Sequence, residues 1–192
     1  MNNLPERKNG RLINYNYSSA GAYFLTVCTH NHKPILSDII INSNPTHIIM
    51  PNVGAIHESP VCRPEFIYEC SEIRLKPYGK ILDRLINEIH EKYGVTVSDY
   101  VIMPNHFHLI VFIDEERAIR ESPLQKRSLI SKIIGYVKAT ASKQIHLISP
   151  DMKIWQRNYH DHIIRSDEEY LMIADYIHTN PGRWEEDRFF PR

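Results

Sequence analysis

His106 and His108 flank a single phenylalanine in VIMPNHFHLIVF (Val101 to Phe112). In a β-strand, residues i and i+2 share a face, so both imidazoles point one way while Phe107, Leu109 and Val111 point the other. Two neutral imidazoles about 7 Å apart along a strand can converge on one divalent ion. On spacing alone, a pair of polar residues on a half-exposed sheet face is the simpler reading. No H-E-x-x-H helix is present and no cysteine stands at ligand spacing, which argues against a closed structural zinc site. A third ligand has to come from far along the chain.

ADYIHTNP (Ala174 to Pro181) supplies candidates. Tyr176 and Asn180 are four residues apart and share one helical face. Each also has an ordinary explanation: a core aromatic with a wet hydroxyl, and a cap before Pro181. In combination they suggest more. An amide oxygen suits a hard cation, and a tyrosine one turn away can attack whatever that cation polarises. A phenol of pKa about 10 is a better leaving group than a sugar hydroxyl, so a phosphotyrosine link conserves a bond that can be rejoined.

The elements that must position these residues are legible in outline. AYFLTVCTH reads as a buried strand, and a second strand is expected around IYECSEIRL. Pro77 suits a first helical turn, followed by Ile81, Leu82, Leu85, Ile86 and Ile89, with Gly94 as the stop. VTVSDYVIM and HFHLIVFI form a hairpin about Pro104-Asn105. A helix from about Ser128 to His146 buries Ile130, Ile133, Ile134, Val137, Ala141 and Ile145, leaving Lys132, Tyr136 and Lys143 opposite. KIW (Lys153 to Trp155) is expected as a short edge strand. The last helix begins at Ser166 in a capping box with Glu169, turns Leu171, Ile173, Ala174 and Ile177 inward, and stops near Asn180-Pro181. The order predicts an α+β fold, an antiparallel sheet with helices on one face. The 192 residues read as one domain, 1–192, with an irregular insertion at about 37–66 that holds Pro45, Pro51, Pro60 and Pro64.

Formal net charge is zero, yet residues 126–165 carry eight Lys or Arg against Asp151 and Asp161, and residues 166–192 carry seven acids against three arginines. A neutral total therefore hides a basic block compatible with a polyanion. Cys28, Cys62 and Cys70 form no C-x-x-C pair, as in a reduced compartment. MNNLPERKNGR has no apolar targeting core and no apolar run reaches membrane length, so a soluble, cytoplasmic protein is expected.

VIMPNHFHLIVF resembles the signature of HUH endonucleases, two histidines flanking a bulky hydrophobic residue. IWQRNYHDHIIRSDEEYLMIADYIHTNPGRW is similar to the C-terminal signature of single-tyrosine, IS200-like transposases, within them the REP-associated tyrosine transposases. AYFLTVCTHNHKPIL resembles that family's first strand. The resemblance extends from about Tyr23 to Trp184, and the two blocks together are highly specific.

It implies a ferredoxin-like fold, the HUH endonuclease fold. It also implies Mg2+ or Mn2+ held by His106, His108 and Asn180, with Tyr176 as nucleophile and Tyr159 as its rival. The implied substrate is single-stranded DNA folded into hairpins, cut through a covalent 5′-phosphotyrosine by a monomer or homodimer. Lys132, Tyr136, Lys143, Arg157 and Arg165 are the expected DNA contacts, Tyr136 as an exposed stacking surface. Asp161, His162 and Arg165 form either a structural or a DNA-contacting cluster. Two alternatives stay open: a hairpin-binding regulator that does not cut, and a metal phosphohydrolase acting on small molecules.

Overall fold

The computed structural model describes residues 19–41, 71–119 and 128–191. Four strands form the main sheet in the order β4-β5-β1-β6: β1 (Gly21–Cys28), β4 (Thr96–Ile102), β5 (His106–Ile113) and β6 (His160–Ile164). Every adjacent pair is antiparallel. Helix α1 (Pro77–Asn87) lies between β1 and β4 in sequence, and α4 (Leu129–His146) between β5 and β6. This β-α-β-β-α-β order is the ferredoxin-like arrangement of an α+β fold.

Alternation sorts each strand into two faces. Tyr23, Leu25 and Val27 of β1 and Phe107, Leu109 and Val111 of β5 pack with Leu82 and Ile86 of α1 and with Ile130, Ile133, Ile134 and Val137 of α4. The predicted apolar stripe of α4 is buried at every position named above. Ser128 caps that helix, its Oγ accepting from the Ser131 N–H at 3.3 Å. Gly79 of α1 faces the Leu36 carbonyl so closely that a Cβ there would lie 2.1 Å from the oxygen. Only glycine lets α1 reach this position.

The expected one-sided helical layer holds for α1 and α4. The other face, with Ala22, Val101, Met103 and Ile110, is covered by α5 (Asp167–Thr179) through Ile173, Ala174 and Ile177. Leu171, expected inward, is 62% exposed. It stands two residues, about 200°, around the helix from Ile173 and therefore faces outward. Helix α5 is fastened to β4 at a register shift between Val97 and Tyr100. Such an irregularity re-aims a side chain. Here Asp99 accepts from the Tyr170 hydroxyl at 3.0 Å and bonds His178 Nε2 at 2.9 Å. Burial alone would raise the Asp99 pKa, but hydrogen bonds from Ser98, Tyr170 and His178 hold it below the usual carboxylate range. Asp99→Ala is expected to cost about 1–3 kcal/mol in a urea melt, since a charged acceptor serving two donors is lost; an unchanged midpoint would show that α5 is held by its apolar face alone.

Two local expectations differ. Ser37–Ile41, read as the start of the irregular insertion, is strand β2, paired with β3 (Ser71–Leu75) in a separate two-stranded sheet. The rest of that insertion, and the first part of IYECSEIRL, lie outside the described residues. KIW is not a strand: Trp155 makes one isolated bridge to Thr29, and the sheet edge is β6, paired with β1 from Ala22↔Ile164 to Thr26↔His160. Among the described residues, α2 (Ile89–Tyr93) continues α1 beyond Glu88 and ends at Gly94 in the left-handed conformation, as predicted for the stop. A short α3 (Glu115–Ile119) follows β5.

Candidate metal centre and nucleophile

The hairpin turn Pro104-Asn105 is closed by Met103 N–H to the His106 carbonyl at 2.9 Å, which fixes the register of β5. That register sets His106 opposite Cys28, and His108 between Thr26 and Val101. Both imidazoles thus face α5, and both are buried, at 0% and 1% exposure. Solvent-facing histidines are thereby ruled out.

Hydrogen bonds determine which nitrogen of His106 carries the proton. Asn105 Nδ2 donates to the carbonyls of His32 at 3.2 Å and Phe189 at 2.6 Å. Its Oδ1, 2.8 Å from His106 Nδ1, must therefore accept, so His106 is protonated at Nδ1 and carries a lone pair at Nε2. His108 Nδ1 lies 2.8 Å from Thr26 Oγ1, a hydroxyl able to accept in the same way. The two Nε2 atoms stand 3.1 Å apart. Adjacent ligands on an ion with bonds of about 2.1 Å would have this separation. A hydrogen-bond partner on the far ring nitrogen is what fixes the orientation of a ligating histidine.

Helix α5 and the 3-10 turn Asn180–Glu186 bring the remaining groups. Tyr176 Oη lies 3.3 Å from His108 Nε2 and 3.4 Å from Asp187 Oδ2. Asn180 is buried and its Nδ2 donates to Asp187 Oδ2 at 3.1 Å, which orients its amide because the carboxylate can only accept. Asn180 Oδ1 is left buried without a hydrogen-bond partner. Asp187 Oδ2 approaches His106 Nε2 to 4.0 Å, and ligand atoms of His106, His108 and Asp187 all lie within 4.8 Å of one another. Two imidazole lone pairs, a carboxylate and an orphaned amide oxygen form a donor set that fits a divalent cation. Asp187 is the member of this set that sequence reasoning misses. Its one signal is a carboxylate set among Trp184, Phe189 and Phe190, an environment that an unpaired acid avoids.

Burial, followed by repulsion from Arg188 and His32, pushes the His106 pKa down to about 3. Burial, then the neighbouring His106, pushes His108 well below its usual value. Both rings are therefore neutral, as ligands must be. Burial and the Asp187 charge raise the Tyr176 phenol to about 12. The unfolded chain binds protons at these histidines below pH about 6.5 while the folded chain does not. Folded-state pKa values are depressed, so the stability is present above pH 6.5 and is lost as pH falls towards 3. In EDTA, urea melts at pH 7.5 and 5.5 are expected to differ by about 1–3 kcal/mol from this pair; equal midpoints would contradict neutral burial.

The other expected site residues are spread more widely. Lys132, Tyr136 and Lys143 belong to α4, across the sheet from the histidines. Tyr136 is not the exposed platform expected: it is half-buried, donates to Glu88 Oε2 at 3.0 Å, packs on Tyr93 and lies 4.4 Å beneath Lys92 Nζ. Tyr159 bonds Ser131 of α4 at 3.2 Å and does not join the histidines. Arg157 and Arg165 are exposed before and after β6. His162 pairs with Glu169 at 2.7 Å, and Glu169 also accepts the Arg165 N–H at 2.7 Å while its own N–H meets Ser166 Oγ. That local role is the structural reading of the cluster.

The family model described as "Transposase IS200 like" matches residues 71–180. This chain belongs to the IS200-like transposase family. The matched span holds His106, His108, Tyr176 and Asn180 and stops short of Asp187. It is 30% identical to an uncharacterized protein of Haemophilus influenzae strain Rd, over 97% of this chain and 94% of that protein. A second H. influenzae protein, provisionally named a REP-associated tyrosine transposase, is 28% identical over 56% of this chain and 64% of its own length. Among solved structures, a REP-associated tyrosine transposase bound to a REP hairpin is 16% identical with a TM-score of 0.48, covering 91% of this chain and 73% of that one. A Deinococcus radiodurans R1 protein, provisionally named a transposase, is 15% identical with a TM-score of 0.42, covering 90% of this chain and 96% of that one. No helix among the described residues is long and apolar enough to cross a membrane.

Proposed function

We propose that the protein cuts and rejoins single-stranded DNA beside hairpins, with Tyr176 as the nucleophile and a divalent cation held by His106, His108, Asn180 and Asp187. The observation that carries this reading is the meeting of Tyr176 Oη with a ligand atom of His108 at 3.3 Å, beside a buried donor set. The mixed nitrogen and oxygen donors suit Mn2+, and Mg2+ less well. A bound cation supplies Lewis-acid withdrawal of charge from a phosphodiester oxygen.

The chain's own residues do the rest. Asn105 and Thr26 keep the imidazole lone pairs directed inward. Asp99 and the apolar face of α5 hold Tyr176 over the sheet. Tyr176 Oη forms a bond to phosphorus and loses its proton, the bond from phosphorus to the 3′ oxygen breaks, and that oxygen takes up a proton. The products are a 5′-phosphotyrosine and a free 3′-hydroxyl. Reversal with another 3′-hydroxyl rejoins the strand, which distinguishes transfer from hydrolysis. The choice of a hairpin substrate is supported by the resemblance of the C-terminal block to REP-associated tyrosine transposases, a name that one H. influenzae relative also carries provisionally.

Incubation with 5′-fluorescein genomic hairpin DNA and its 3′-labelled counterpart in Mn2+ tests the reading. A protein-linked band carrying only the 3′ label is expected, and its loss in EDTA. Cleavage that releases both fragments without a protein-linked species would replace strand transfer by hydrolysis; metal-independent hairpin binding without cutting would make the protein a regulator.

A further inference from the structure

Away from the metal centre, a groove of about 650 Å³ runs between the outward side of α4 and residues 150–159. Its floor is apolar, with Ile134, Ala139, Ile154 and Trp155. Gly135 lies among them, and a Cβ built there meets nothing within 4 Å. Lys138, Lys153 and Arg157 stand along the walls, against Asp151 as the one acid of the lining among the described residues. Lys138 is fixed in place, its Nζ donating to the carbonyls of Gln156 at 2.6 Å and Arg157 at 3.1 Å. A chain of side-chain contacts links Gln156 of the groove lining to the candidate metal centre. Gln156 Nε2 meets His32 Nε2 at 2.8 Å, the His32 ring stacks on Phe189 at 5.3 Å, and Phe189 lies 4.7 Å from the His106 ring.

We propose that this groove takes unpaired DNA continuous with the cleaved phosphodiester, its bases on the apolar floor and its phosphates on Lys153 and Arg157. The proposal rests on the reading of Tyr176 as the nucleophile. Two features favour a nucleic-acid strand over a protein segment: the walls carry an excess of positive charge, and the open space at Gly135 shares a lining with the aromatic Trp155 and Tyr159. A cationic track with apolar and aromatic footing is how single strands are held without sequence readout. The proposal moves the expected DNA contacts from the Lys132–Tyr136–Lys143 side of α4, where Tyr136 is engaged with Glu88 and Tyr93, to its other side.

The test uses the full chain, fluorescence anisotropy with a random-sequence fluorescein 30-mer of single-stranded DNA, and the covalent-adduct assay with hairpin DNA. Gly135→Phe fills the groove without crowding at Cβ, and Gly135→Ala is its control. Gly135→Phe is expected to weaken 30-mer binding at least tenfold and Gly135→Ala to leave it unchanged. Lys153→Gln with Arg157→Gln is expected to lower the slope of log affinity against log salt by about 1.4, as two phosphate contacts are lost. Wild-type affinity and salt slope in all variants overturn the proposal. Unchanged DNA affinity with altered sedimentation in Gly135→Phe also overturns it, by assigning the groove to a second copy. Weakened 30-mer binding beside a wild type that forms no adduct supports the groove and rejects the nucleophile instead.

Discussion

Tyr176→Phe is expected to form no covalent DNA adduct and to lose strand cleavage by at least about 1,000-fold, while hairpin binding stays within twofold. The ring itself is retained, and with it the edge contacts to Phe24 at 6.2 Å and His108 at 5.2 Å. The hydrogen bonds removed include two long ones, at 3.3 and 3.4 Å. With Tyr176 39% exposed, that costs under about 1 kcal/mol of stability. The chemical loss is large because the rival hydroxyl cannot replace it: Tyr159 is tied to Ser131 on the α4 side. Removing a nucleophile typically leaves only what positioning and electrostatics supply. Denaturing gels with labelled DNA and a parallel anisotropy titration read the two effects separately. An adduct that persists in the variant would move the nucleophile elsewhere, and one that disappears with Tyr159→Phe would identify it.

Asp187→Asn is expected to weaken Mn2+ binding by about 10- to 100-fold and to reduce cleavage in parallel. The substitution keeps the shape of the side chain and leaves an oxygen to accept the Phe189 N–H, now 2.6 Å away. It removes the negative charge beside two neutral imidazoles, the only anion in the cluster. A cation held by neutral donors alone is bound more weakly, as ligand charge count governs affinity for hard ions. The same charge helps raise the Tyr176 phenol, so the variant's phenol should titrate below the value of about 12 in metal-free protein. Titration calorimetry with Mn2+ and ultraviolet titration of the tyrosines measure both. Wild-type Mn2+ affinity in Asp187→Asn would reduce Asp187 to an acceptor that orders the turn after α5.

Local repetition made part of this site legible. His106 and His108 share a face by period two, Tyr176 and Asn180 by the helical turn, and Pro104-Asn105 announced the hairpin that sets the register. What was hidden depends on pairing at long range. The burial of the histidines requires α5 to lie over their face, and the side chains of β5 do not encode that. Strand β6 begins His160-Asp161-His162, without apolar alternation, and is a strand because β1 offers it an open edge. Strand β2 was masked by the neighbouring prolines, since its partner β3 lies beyond a long intervening segment. Asp187 lies past the turn that ends α5, where no periodicity extends, and its carboxylate becomes a ligand candidate only once that turn folds back on His106.

That last placement separates the anion of the donor set from its other members along the chain. The donor set draws on residues 105–108 of the hairpin and on Asn180 and Asp187. A product broken off between Asn180 and Asp187 carries both histidines and the tyrosine yet lacks the anion. Under the proposed function, such a product would keep its nucleophile but have no charged ligand for the cation.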